Sequence, residues 1–199
     1  MKTVILGMGN TLLSDDGIGI LTKRYLETRL RNDFDIDFIE TSWGGFRIID
    51  LLSGYDYAII VDSIKTNTKP LGYVHHLHPN DLLPTLRLTS YHDINFATAL
   101  KLAEELHAQM PKAIDIFAIE IKDNITICEN LNNSLLDSIV NVSRKIIDLL
   151  KSKKVLPENI EYSNIPITSN ELKNLYDEEL SSNYTKTTNY NIKLEEYQV

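Results

Sequence analysis

Hydrophobic and polar positions alternate along the first 150 residues in blocks whose period switches between sheet and helix. Residues 3–7 form an almost unbroken apolar run ending in Gly7, the pattern of a strand buried on both faces. After a loop over 8–16, Ile18, Ile20, Leu21, Tyr25, Leu26 and Leu30 recur at helical spacing. Residues 34–40 alternate and predict a second strand. Phe46, Ile49, Leu51 and Leu52 predict a short helix. Residues 57–61 make another fully apolar strand, which ends on Asp62. Residues 73–78 are a strand of mixed polarity, expected at an edge. A helix is predicted over 94–107 on Phe96, Ala97, Leu100, Ala103 and Leu106. A strand follows over 113–121, with a weaker one over 125–128. Residues 135–150 place Ile139, Val142, Ile146, Ile147 and Leu150 on one helical stripe. Strands that alternate with helices predict an α/β fold. The expected form is a three-layer α/β/α arrangement, with a twisted, mostly parallel sheet of about five strands and helices on both faces.

The pattern changes near residue 151. Residues 1–152 read as one α/β domain and 153–199 as an acidic extension rich in Asn, Ser and Tyr. From residue 155 onward there are eight acids against three lysines, and five tyrosines. Such a composition predicts a solvated, partly disordered segment. The alternative is a segment that docks on the body, favoured by the tyrosines. Thr168 and Glu171 have capping-box spacing ahead of Leu172, Leu175 and Tyr176, so one short helix is expected there.

The formal net charge of −8 disfavours nucleic acid and anionic membranes as partners. The single cysteine, Cys128, rules out an intrachain disulfide and suits a reducing compartment. No apolar run approaches the ~20 residues of a membrane helix. The apolar run after Lys2 is too short for a signal peptide, so a cytoplasmic protein is expected.

In open α/β sheets, ligands bind beyond the carboxyl ends of the strands. Three segments fall there: 7–19 after the first strand, Asp62-Ser63 after the third, and Ser90-Tyr91-His92-Asp93 ahead of a helix. Gly7 and Gly9 permit a sharp turn, but a dinucleotide fingerprint would need a further glycine where Leu12 stands. Asp15 and Asp16 would repel a phosphate at the helix start. Glu40 at the end of the second strand keeps a nucleotide-binding alternative open, as a ribose-binding acid. One of Asp15 and Asp16 is expected to cap the helix. Asp62 is either a strand terminator or a ligand. Two carboxylates with His92 make a three-ligand set suited to a borderline divalent cation. His75, His76 and His78 read as exposed edge residues, His107 as structural, and Cys128 as no nucleophile.

The loop Gly7-Met8-Gly9-Asn10-Thr11-Leu12-Leu13-Ser14-Asp15-Asp16-Gly17-Ile18-Gly19 resembles the N-terminal signature of the nickel–iron hydrogenase maturation endopeptidases. Trp43-Gly44-Gly45, Ile59-Ile60-Val61-Asp62-Ser63-Ile64 and Ser90-Tyr91-His92-Asp93-Ile94 follow in the same order. The resemblance covers residues 1–150. It implies a peptide hydrolase that removes a short C-terminal peptide from a hydrogenase large-subunit precursor after nickel insertion. It also implies that Asp16, Asp62 and His92 contact that nickel and carry the chemistry. Gly9, Asn10, Gly44 and Gly45 are then expected to line the substrate loops. Nickel arrives with the precursor, and no organic cofactor is expected. Two hydrolytic routes fit: a metal-activated water, or a carboxylate such as Asp16 acting as base. Asp16 stands where the family often has glutamate, one methylene longer. A purely binding role in the maturation complex is the non-enzymatic alternative, and the oligomeric state is left open.

Overall fold

The computed structural model describes residues 1–30, 34–81, 96–160 and 167–177. Five strands form one sheet in the order β2-β1-β3-β5-β4. They are β1 (Thr3–Met8), β2 (Ile36–Thr41), β3 (Tyr57–Ile64), β4 (Val74–Leu77) and β5 (Ala113–Glu120). β1 pairs in parallel with β2 and β3, and β3 with β5, while β4 closes one edge antiparallel to β5. The central strands β1 and β3 are buried along their whole length, as their unbroken apolar runs require.

Helices cover both faces. On one, α1 (Ile18–Arg29) and α4 (Leu136–Ser152) pack against Ile5, Tyr57, Ile59, Val61, Phe117 and Ile119. On the other, α2 (Arg47–Leu52) and α3 (Phe96–Glu105) enclose Val4, Leu6, Ala58, Ile60, Ile116 and Ala118. The sheet pleat sorts odd and even strand residues between these two cores. The α4 stripe predicted from its spacing is buried in full. α1 lies so close to the sheet that a β-carbon on Gly19 would sit 2.2 Å from the Met8 carbonyl oxygen and 2.5 Å from that of Val61. Glycine at 19 is therefore a packing requirement at the place where the helix crosses β1 and β3.

Two expectations need correction. β3 does not end on Asp62 but runs on to Ile64, because Asp62, Ser63 and Ile64 pair with Ala118, Ile119 and Glu120 of β5. The weak strand over 125–128 does not form. Ile125 and Ile127 are exposed, and only an isolated bridge joins Cys128 to Leu13. No helix among the described residues is long and apolar enough to cross a membrane.

α5 (Ser169–Asp177) packs on α1. Leu175 is buried, and the Thr168 hydroxyl accepts a hydrogen bond from the Glu171 amide, as in the predicted cap. This part of the acidic extension is therefore seated on the body.

Candidate active site

Behind β1 the chain turns at Gly9, whose φ of +142° is unfavourable to a side chain. A β-carbon there would meet the Asp16 carbonyl oxygen at 2.1 Å. The turn folds residues 9–16 back on themselves. Asn10 braces it, its side-chain oxygen accepting from the Leu12 amide at 3.0 Å and its carbonyl from the Leu13 amide at 3.0 Å. A 3-10 turn, Ser14–Gly17, then leads into α1.

The two neighbouring acids on that turn point to different places. Asp15 accepts from the backbone amides of Lys122 (3.3 Å), Asp123 (3.1 Å) and Asn132 (3.1 Å). It pins the 122–132 segment to the loop and caps nothing in α1. Asp16 accepts from the Asn10 amide at 2.7 Å and from the Ser63 hydroxyl at 2.9 Å. The Ser63 amide in turn donates to Asp62 at 2.8 Å. Asp16 and Asp62 are both fully buried, so Ser63 links two solvent-excluded carboxylates at the carboxyl end of the sheet. Burial disfavours the ionised form of a carboxylate unless a cation or a proton accompanies it. His92 lies outside the described residues.

An open cleft of about 350 Å³ is lined by Asn10, whose amide is the one bonded to Asp16. Gly9 and Asn10 form one side, and Thr41, Trp43 and Arg47 the other. Trp43 is 69% exposed there. Its amide donates to the Thr41 hydroxyl at 3.0 Å, which fixes the strand-to-helix connection. Gly44 and Gly45 occupy the turn between Trp43 and Arg47, and the Gly45 carbonyl accepts from the Ile48 amide at the start of α2. Gly9 and Asn10 thus line the cleft directly, whereas Gly44 and Gly45 are not among its lining residues.

Glu40 also borders this cleft, but its carboxylate is committed. It takes a two-pronged contact from Arg24 (2.8 and 2.6 Å) and one from Lys23 at 3.3 Å. Burial pushes the Glu40 pKa up, and Arg24 and Lys23 outweigh it, holding the group below the usual glutamate range. That leaves no acid free for a ribose at this position.

Glu120 was not singled out from sequence, yet it organises the far side of the sheet, at the end of β5 beside β4. Its carboxylate accepts from the Thr66 amide at 2.7 Å, the Asn67 amide at 2.8 Å and the Thr66 hydroxyl, and it meets His75 at 3.1 Å. Burial raises its pKa, but these partners lower it further and keep it ionised. The available signal was an acid closing an apolar strand, the same signal that Asp62 carries. His75 is therefore a half-buried partner of Glu120, not an exposed edge residue. His107 follows the end of α3 in a left-handed turn (φ 53°).

The family model described as hydrogenase maturation protease (HycI) matches residues 20–153. The chain is 25% identical over 121 residues to the hydrogenase 2 maturation protease of Escherichia coli K12, covering 60% of this chain and 73% of that protein. Its fold resembles that of the hydrogenase maturating endopeptidase HybD from Escherichia coli, with TM-score 0.63 and 22% identity over 77% of this chain and 94% of the other. It also resembles the [NiFe] hydrogenase maturation protease HycI from Thermococcus kodakarensis, with TM-score 0.60 and 17% identity over 75% and 92% of the two chains.

Proposed function

The chain belongs to the hydrogenase maturation protease family, and from that premise we propose that it is the endopeptidase that trims the C-terminus of a nickel-loaded hydrogenase large-subunit precursor. The observation that carries this assignment is the pair of buried carboxylates, Asp16 and Asp62, joined through Ser63 beside an open cleft. Two carboxylates fit a divalent cation by their donor chemistry, and His92 would complete a mixed oxygen and nitrogen set. The nickel is part of the substrate, and its charge would offset the two buried negative charges. Precursor that lacks it would face an uncompensated acidic site, which favours the loaded form.

The chain's own groups divide the remaining work. The Asn10 amide and Ser63 hydroxyl hold the Asp16 carboxylate in one orientation. From there Asp16 accepts the proton of the attacking water as general base. The cleft between Asn10 and Trp43 receives the peptide, and Arg47 offers a cation to the carboxylate at its end. The lone, half-buried Cys128 suits a reducing cytoplasm, where such a precursor would be processed.

The test is mass spectrometry of the C-terminus of a nickel-loaded precursor incubated with the full chain. Trimming is expected with the unaltered chain. Asp16→Asn, Asp62→Asn and His92→Ala should each slow it by about 100-fold or more. Undiminished trimming by both Asp62→Asn and His92→Ala would overturn the assignment of the site. A precursor left untrimmed by the unaltered chain would leave it a binding role only.

A further inference from the structure

We propose that His76, His78 and Asp115 form a second binding site, for a borderline divalent cation such as Zn²⁺, at the β4 edge of the sheet. His76 Nε2 lies 2.6 Å and His78 Nε2 3.8 Å from the same oxygen, Asp115 Oδ1. One donor atom from each residue falls within 4.8 Å of the other two. Tetrahedral zinc with bonds of about 2.0–2.1 Å places its ligand atoms about 3.3 Å apart. The three donors therefore need to shift by roughly an ångström or less from where they stand. His78 is exposed and can make that adjustment. His76 lies on β4 and His78 directly follows its last residue, Leu77, so the extended chain brings the two rings to one side, with centroids 5.4 Å apart.

The surroundings resemble the support that metal ligands usually have. His76 is held by parallel stacking on Phe117, with ring centroids 4.5 Å apart. Asp115 is oriented by the Tyr57 hydroxyl, which donates to its other oxygen at 2.7 Å. His78 Nδ1 lies 3.7 Å from Asp81, whose carboxylate also accepts from the His78 amide at 2.9 Å. Ligating histidines commonly donate their second ring nitrogen to a carboxylate in this way. Among the described residues, Lys153 opposes the cation, its Nζ 3.7 Å from Asp115 Oδ2. It faces the oxygen turned away from the histidines.

This site cannot share an ion with the cleft. Asp115 pairs with Ile59 and Asp62 with Ala118, three residues further along. The pleat therefore sends the two acids to opposite faces of the sheet. The binding test is run on the tag-free full chain and on its Asp62→Asn variant, in which the cleft is disabled, by calorimetric titration with Zn²⁺ at neutral pH. One equivalent is expected to bind in the Asp62→Asn background, and any further equivalent taken up by the unaltered chain belongs to the Asp16, Asp62 and His92 set. His76→Gln and His78→Gln should each weaken binding in the Asp62→Asn background at least about tenfold, and Tyr57→Phe by about 10-fold to 100-fold. Lys153→Met should tighten it. The His78 variant alters an exposed side chain, so circular dichroism should show an unchanged fold. No binding in the Asp62→Asn chain, or binding that His78→Gln and His76→Gln leave unaltered, would overturn the proposal.

Discussion

Asp15 and Asp16 are adjacent, equally acidic and both buried, yet the backbone of one 3-10 turn assigns them different work. Asp15 satisfies amides of a distant segment, whereas Asp16 accepts from the Ser63 hydroxyl and from the amide of Asn10, which lines the cleft. Removing the Asp15 carboxylate would leave the amides of Lys122, Asp123 and Asn132 without their acceptor. Each buried unmet amide costs about 1–3 kcal/mol. Asp15→Ala is therefore expected to lower stability by about 3 kcal/mol, read from the urea midpoint. Asp16→Asn should act mainly on cleavage. If Asp15→Ala unfolded at the same urea concentration as the unaltered chain, the latch would have no energetic weight.

At the scale of elements, α5 seats residues 169–177 of the acidic extension on the folded body. Arg24 on α1 is almost wholly buried. Its guanidinium reaches Glu40 on one side, and on the other donates to the Leu175 carbonyl at 2.7 Å and that of Tyr176 at 3.3 Å. The exposed carbonyls at a helix C-terminus suit a cation, so the end of α5 and Arg24 satisfy each other. Arg29 and Glu171 add a second contact at 2.6 Å, but both are a quarter exposed. Leu175→Ala removes a buried side chain and loosens the seat, and a loss of about 2–4 kcal/mol is expected by denaturant unfolding. Glu171→Ala should cost under about 1 kcal/mol. Equal losses from the two variants would mean that the surface pair, not the buried leucine, holds α5 in place.

The whole molecule carries its acids unevenly, and that shapes its response to pH. Glu40 at one sheet edge and Glu120 at the other both titrate below the usual glutamate value of 4.5 in the folded state. A carboxyl depressed by folding contributes stability that is complete above its unfolded pKa and lost as pH falls through the folded one. Unfolding free energy should therefore hold steady from neutral pH down to about 5.5 and drop below that. Glu40→Gln should lower stability at pH 7, because Arg24 and Lys23 lose their counter-charge, and should also flatten the acid limb. An acid limb with the same slope in Glu40→Gln would show that this carboxylate does not drive it.

The alternating pattern determined the α/β class and the order of the elements. Those are local properties: period-2 and period-3.6 burial, and glycines where no side chain fits. The loop over 7–19 likewise determined the family, through residues contiguous in the chain. Sequence alone did not decide the length of β3, because Asp62 and Ser63 enter a strand only through their pairing with β5. Nor did it separate Asp15 from Asp16, commit Glu40 to Arg24, or join Glu120 to Thr66 and His75. It read His76 correctly as an exposed edge residue but not its partner, because Asp115 reaches it only across the β4–β5 pairing. Each of these rests on a partner dozens of residues away, and a side chain's charge has no assigned task until the fold supplies the partner. Even α5, within an extension polar enough to predict solvent, is seated where it is because a buried arginine on α1 needs the carbonyls at its end.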